Sequence, residues 1–203
     1  DANNMAVFMS TGQILNIPNI LTMARVALIP VFLLIAYWPP AIGIAAHDGG
    51  IVRHLILTAI FVLAAITDWL DGYLARTLNQ SSAFGRFLDP VADKLMVAAA
   101  LIVLVQWQPT ISMAFAAIVI ISREITVSAL REWMAELGAR TNVAVSTVGK
   151  YKTAFQMIAI SVFLLNWKPL EVWAYALMYT AVILTLWSMI IYLKAAWPYL
   201  KQP

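Results

Sequence analysis

Residues 67–94 read TDWLDGYLARTLNQSSAFGRFLDPVADK, and they hold four of the chain's six aspartates: Asp68, Asp71, Asp89 and Asp93. The flanks are strongly apolar, ILTAIFVLAAI before and LMVAAALIVLVQW after. An aspartate at the centre of a membrane helix costs about 2.5–3.5 kcal/mol on insertion scales, and a leucine returns only a few tenths. Four together need a partner, and their spacing suggests one. Asp68 and Asp71 are three apart near the end of one helix; Asp89 and Asp93 are four apart at the start of the next. Each pair shares a helical face. The short link makes the two helices antiparallel neighbours, and their facing ends form a nest of carboxylate oxygens. Asp89 before Pro90 also reads as a helix N-cap with proline at the first helical position. That accounts for one aspartate and not four.

The rest of the chain explains why such a nest lies in apolar surroundings. Of 203 residues 63% are hydrophobic and 11% charged, with a mean hydropathy of +0.83. A soluble domain would be about a quarter charged. The composition predicts an all-α integral membrane protein in a single domain, residues 16–203. Residues 1–15 are set aside as a native tail or an appended remnant, with Met5 and Met9 as candidate natural starts. Six segments are long enough to span a bilayer: about 20–38, 51–76, 91–107, 111–137, 149–167 and 170–196. Breaks at Pro39-Pro40, Gly49-Gly50, Pro109, Gly138 and Pro169 separate them. Without cysteine there is no disulfide framework and no thiol chemistry. The net charge of +3, spread along the chain, argues against a nucleic-acid partner.

Lysine and arginine placement sets the orientation. With six spans Arg76, Arg86, Lys94, Arg131, Arg140, Lys150, Lys152, Lys194 and Lys201 fall on one side, and Arg53 and Lys168 on the other. Both termini and the aspartate stretch therefore face the cytoplasm. Trp38, Trp107, Trp167, Trp173 and Trp197 mark segment ends, where interfacial aromatics belong. In the first segment Asn16, Asn19, Thr22 and Arg25 recur every third residue, one stripe of a helix. Part of this segment reads as an interfacial helix ahead of the first span. Arg25 itself reads either as a member of the stripe or as a snorkelling arginine at a helix end.

Hard carboxylate oxygens suit Mg²⁺, Mn²⁺ or Ca²⁺, and two divalent ions neutralise four aspartates. No cysteine or histidine lies close by, which argues against zinc; His47 and His54 read as solvated loop residues of the opposite surface. Gly72 and Gly85 permit close approach of a ligand, Ala75 keeps the helix narrow, and Arg76 sets a permanent cation beside the carboxylates. Carboxylate-held metal beside arginine is equipment for phosphoryl chemistry.

The pattern D, two residues, DG, two residues, AR, eight residues, G, three residues, D, three residues, D is complete between Asp68 and Asp93, and it resembles the signature of the CDP-alcohol phosphotransferases. NIPNILTMARV (16–26), ISREITVSALREWMAELG (121–138) and VGKYKT (148–153) resemble the bacterial, proteobacterial-type subgroup whose acceptor is sn-glycerol 3-phosphate. The likeness covers roughly residues 16–193. It implies a six-transmembrane-helix bundle with a cytoplasm-facing polar cavity, in the bacterial inner membrane and often as a homodimer. The implied metals are Mg²⁺ or Mn²⁺, two ions held by Asp68, Asp71 and Asp89, with Asp93 as general base and a further ligand. Gly72, Ala75, Arg76 and Gly85 would shape the CDP-diacylglycerol site, with Asn19 and Thr22 from the first segment. The implied reaction moves the phosphatidyl group of CDP-diacylglycerol to the C1 hydroxyl of sn-glycerol 3-phosphate, with release of CMP.

The acceptor's phosphate needs cations apart from the metals. Arg123 and Arg131, eight residues apart, lie two turns along nearly one helical face. Lys150 and Lys152 open the fifth helix, where backbone N–H groups also favour anions. The same positions carry the resemblance. Positive-inside loop charge, or ion pairing with Glu124 and Glu132 on the same helix, is the plainer alternative, and it is the preferred reading for Arg140, Lys194 and Lys201. Four other functions are weighed. An acceptor other than glycerol 3-phosphate needs different partners here. Intramembrane prenyltransferases carry a further aspartate where Ala75 stands. Divalent-cation transporters show repeats and broken helices, which are not evident. A purely structural subunit leaves the aspartate window without purpose.

Overall fold

The structure is a computed structural model that describes residues 17–38, 50–77, 83–137 and 147–200. It is all-helical over these residues: α1 (Ile17–Tyr37), α2 (Ile51–Thr77), α3 (Ala83–Trp107), α4 (Ile111–Glu136), α5 (Thr147–Leu165), a 3₁₀ turn (Lys168–Leu170) and α6 (Glu171–Leu200). The six expected segments each lie within one helix, give or take a few residues. The largest departure is α3, which begins eight residues before the expected Val91. Asp89 is therefore not an N-cap: it sits with Pro90 inside the helix. Pro90, eighth in the helix, removes one backbone donor. The longer helix keeps Asp89 and Asp93 on a common face. His54 lies half-buried in the first turn of α2, not in a solvated loop; His47 lies outside the described residues.

The chain forms two compact units, Asp1–Val103 and Leu104–Pro203. In the first, α1 packs along α2, burying Phe32 and Ala36 on α1 and Leu57, Phe61 and Ala64 on α2. On α3, Ala92, Met96, Val97, Ala100 and Leu101 are buried at helical spacing. α1 runs unbroken from Ile17 with Pro30 inside it.

In the second unit α6 packs against both α4 and α5. Arg123, Arg131 and Met134 of α4 meet Ser188, Tyr192 and Ala196 of α6 in that order, so these two helices run parallel. α5 and α6 form a helical hairpin through the 3₁₀ turn, which Asn166 enters in the left-handed conformation (φ 52°) and Pro169 continues. Small residues such as Ala116, Ala117, Ala174 and Ala181 are buried in this unit and allow close helix approach. Thr110 caps α4, its hydroxyl accepting from the Met113 N–H at 3.2 Å. Hydroxyls along the helices are satisfied by carbonyls one turn back, as at Thr58, Ser128, Ser161 and Thr180.

Among the described residues four helical stretches are long and apolar enough to cross a membrane: Asn19–Tyr37, Ile51–Leu70, Ile111–Glu136 and Lys168–Tyr199; α5 offers a shorter apolar run, Tyr151–Leu165. Their outward faces carry large apolar side chains, among them Leu34, Leu63, Ile118, Ile183 and Trp187. Water does not tolerate that much contiguous apolar surface, whereas lipid does. This is the construction of a multi-pass membrane protein.

Candidate active site

The acidic residues of the first unit are reached by the polar stripe of α1. Asn19, Thr22 and Arg25 are all buried, Arg25 to 1% exposure, while Ile20 and Met23 on the same helix are exposed. Arg25 donates from one terminal nitrogen to Asp68 Oδ1 at 2.7 Å, and the Thr22 hydroxyl donates to Asp89 Oδ1. The snorkelling alternative for Arg25 is thereby excluded: a guanidinium inside an apolar unit requires a carboxylate, and α2 provides it. Both half-sites of the 67–94 stretch, Asp68 on α2 and Asp89 on α3, are thus tied to one turn of α1.

The Asp68 side chain remains 44% exposed, so its pair with Arg25 is only half-desolvated. Among the described residues Asp68 and Asp89 each engage through Oδ1, which leaves a hard oxygen on each for another partner. Asp93 is half-buried and engaged, and Gly85 is buried. Beyond their helical backbone, Asp71, Gly72, Ala75, Arg76 and Lys150 lie outside the described residues, as do Arg140 and Lys201 altogether. Among the described residues no three acidic or histidine side chains gather closely enough to enclose an ion. The donor set is nevertheless all oxygen in a chain without cysteine, which fits Mg²⁺ or Mn²⁺ and not a soft metal.

In the second unit two of the expected cations, Arg123 and Arg131, meet α6. Arg123 lies near the middle of α4 and is 8% exposed; Lys152 on α5 is 4% exposed. Both donate to the same oxygen, Glu124 Oε1, Arg123 at 3.2 Å. Two buried cations therefore share one carboxylate. Arg123 also donates to the Ser188 hydroxyl at 2.8 Å, and that hydroxyl donates to the Thr185 carbonyl at 3.0 Å. Arg131 donates to the Tyr192 hydroxyl. The Tyr192 ring lies 5.6 Å from the Arg123 guanidinium and 5.0 Å from that of Arg131, within cation–π range. Three buried polar atoms of this unit have no hydrogen-bond partner among the described residues: Arg123 Nε, Gln156 Oε1 and Thr185 Oγ1. Such atoms are uncommon in apolar surroundings, and a polar ligand is one remedy.

Two expectations need correction. Lys152 does not open its helix: α5 starts at Thr147, so the backbone N–H of Lys152 lies past the four unsatisfied donors of the first turn. Its contribution is the ammonium alone. The ion-pair reading holds for Glu124, which takes both Arg123 and Lys152; Arg131 turns to Tyr192.

A model of the CDP-alcohol phosphatidyltransferase family matches residues 15–187. The chain belongs to that family. Its relatives include proteins named CDP-diacylglycerol–glycerol-3-phosphate 3-phosphatidyltransferase. The one from Pseudomonas fluorescens is 50% identical over 92% of this chain and 93% of its own length. That of Haemophilus influenzae is 50% identical over 89% and 93%, and that of Escherichia coli K12 is 48% identical over 89% and 94%.

Every residue of the signature, and each of Arg123, Arg131, Lys150 and Lys152, falls inside the family match. Tyr192 and Ser188 lie just past its end. Both went unnoticed in the sequence, as did Thr185. A signal was present: Thr185, Ser188 and Tyr192 recur at three and four residues on a mostly apolar helix, the same sign that marked Asn19, Thr22 and Arg25.

Proposed function

We propose that this member of the family transfers the phosphatidyl group of CDP-diacylglycerol to the C1 hydroxyl of sn-glycerol 3-phosphate, giving phosphatidylglycerophosphate and CMP in the phosphatidylglycerol branch of phospholipid synthesis. The observation that carries it is identity near 50% along nine-tenths of the chain with relatives that bear that activity as their name. The two polar clusters supply what such a reaction asks of each unit.

Asp68, Asp71, Asp89 and Asp93 would hold Mg²⁺ or Mn²⁺, two ions in the full set. Bound there, a divalent cation neutralises charge on a diphosphate and on a departing phosphate. Thr22 and Arg25 hold the carboxylates of Asp89 and Asp68 in fixed directions, which limits reorganisation when substrate arrives. Gly72, Ala75, Arg76, Gly85 and Asn19 border the cytidine diphosphate. A carboxylate oxygen of Asp93 accepts the proton of the acceptor's C1 hydroxyl. The hydroxyl oxygen forms its bond to the phosphorus that bears diacylglycerol, and the bond from that phosphorus to the CMP oxygen breaks. Arg123, Arg131, Lys150 and Lys152 take the acceptor's phosphate. Arg123 and Lys152 are buried cations that share Glu124 Oε1, and an anionic ligand would give both a further acceptor.

The remaining helices complete six spans in one membrane domain, with the N-terminal part of α1 lying along the interface. Termini and polar cavity face the cytoplasm of a bacterial inner membrane, and two copies pair as a homodimer. One assay tests the chemistry: purified protein, CDP-diacylglycerol and a panel of alcohols, with CMP followed with and without chelator. CMP release dependent on sn-glycerol 3-phosphate and abolished by chelation is expected. Equal release with serine or inositol phosphate sinks the acceptor assignment, and pyrophosphate in place of CMP sinks the family chemistry.

A further inference from the structure

We infer that Tyr192 is a positioning residue that sets the spacing of Arg123 and Arg131 and thereby makes the basic cluster selective for a phosphorylated acceptor. The inference rests on the proposed acceptor reading. The two arginines are eight residues apart on α4, and two long side chains at that separation have no fixed relation of their own. Tyr192, from the neighbouring helix, provides one. Its ring serves both guanidinium groups, at 5.6 and 5.0 Å, and its hydroxyl accepts from Arg131. Tyr192 is 4% exposed, so its ring is held by packing and does not follow the arginines.

The hydroxyl has a second capacity. It accepts from Arg131 and so still has its own proton to donate. Arg123 Nε likewise has no partner among the described residues. A phosphate between the two arginines would find N–H groups from both and an O–H from the tyrosine. An uncharged alcohol would gain far less from them. Tyr192 also lies beyond residue 187, where the family match ends, in keeping with a part in acceptor choice and not in the signature's shared chemistry.

The test uses detergent-solubilised full-length protein and compares wild type with Tyr192→Phe and Tyr192→Leu. The readouts are KM for sn-glycerol 3-phosphate, KM for CDP-diacylglycerol, kcat, and thermal stabilisation by sn-glycerol 3-phosphate alone. Phenylalanine keeps the ring and loses the hydroxyl, and should raise the acceptor KM about three- to tenfold with kcat and donor KM held. Leucine also loses the cation–π contacts, and should add about another three- to tenfold while abolishing thermal stabilisation by the acceptor. Exposed Trp187 on the same helix is the control, and Trp187→Phe should change none of these. An unchanged acceptor KM in both variants overturns the inference, as does a loss confined to kcat or shared equally by both substrates. If wild type itself releases no CMP with sn-glycerol 3-phosphate, the acceptor reading fails first, and the inference goes with it.

Discussion

The acidic cluster of the first unit and the basic cluster of the second are built by the same device and differ in what it leaves open. In each, one apolar helix carries a narrow polar stripe that holds charged residues of its neighbours. On α1 the stripe is Asn19, Thr22 and Arg25, and it fixes Asp68 and Asp89. On α6 it is Thr185, Ser188 and Tyr192, and it fixes Arg123 and Arg131. The α1 stripe brings a full positive charge to its carboxylates. The α6 stripe brings hydroxyls and a ring, so the charge of the arginines is directed but not cancelled. Arg123 and Lys152 share one oxygen of Glu124. Under the proposed reading, the first cluster offers oxygens to cations and the second offers N–H groups to an anion.

If the two clusters divide the chemistry in this way, acidic substitutions should lower kcat and basic ones should raise the acceptor KM. The largest effect is expected at Asp93. Asp93→Asn removes the proposed base and should cut CMP release by about 10²- to 10⁴-fold, with the elution profile of the folded protein unchanged. Substantial residual turnover would remove Asp93 from that role. Next comes Arg25→Leu, which strands Asp68 beside an apolar side chain. A fully buried pair broken on one side costs about 3–5 kcal/mol; the half-exposed Asp68 reduces this to about 1–3 kcal/mol. A lowered Tm and a lowered kcat together are expected, and an unchanged Tm would show that the pair contributes nothing to the fold.

Lys152→Ala should raise KM for sn-glycerol 3-phosphate about tenfold, on the order of one charge-assisted hydrogen bond, and leave KM for CDP-diacylglycerol in place. Equal effects on both constants would erase the division between the clusters. The smallest pair sharpens it most directly. Ser188→Ala takes one acceptor from Arg123, and Thr22→Val takes one donor from Asp89. Each should cost about 0.5–1.5 kcal/mol, a few-fold in rate or binding. Ser188→Ala should appear in the acceptor KM and Thr22→Val in kcat; the reverse assignment would break the comparison.

Six helices were legible because membrane insertion imposes a crude code, long apolar runs with punctuation between them. The structure moved only their edges. At α3 the edge moved most, because Pro90 reads as a start signal when only the local sequence is considered. Pro90 is accommodated inside α3, and continuing the helix upstream aligns Asp89 with Asp93. The aspartates were legible for a different reason: charge inside apolar sequence is expensive and stands out. The hydroxyls of α6 did not stand out. Threonine and serine inside membrane helices are ordinary, since they bond to their own backbone, and a buried tyrosine reads as core.

Sequence alone thus determined that the chain is helical and membrane-spanning, which residues carry charge into it, and, through the spacing from Asp68 to Asp93, which family it belongs to. Those properties are local, set by transfer free energies and by intervals along one chain. Tertiary structure decided which helix answers each charge: α1 for Asp68 and Asp89, α6 for Arg123 and Arg131, and Glu124 for Lys152. Partners 28 to 67 residues apart meet through the packing of helix faces, and no interval within a single helix encodes that.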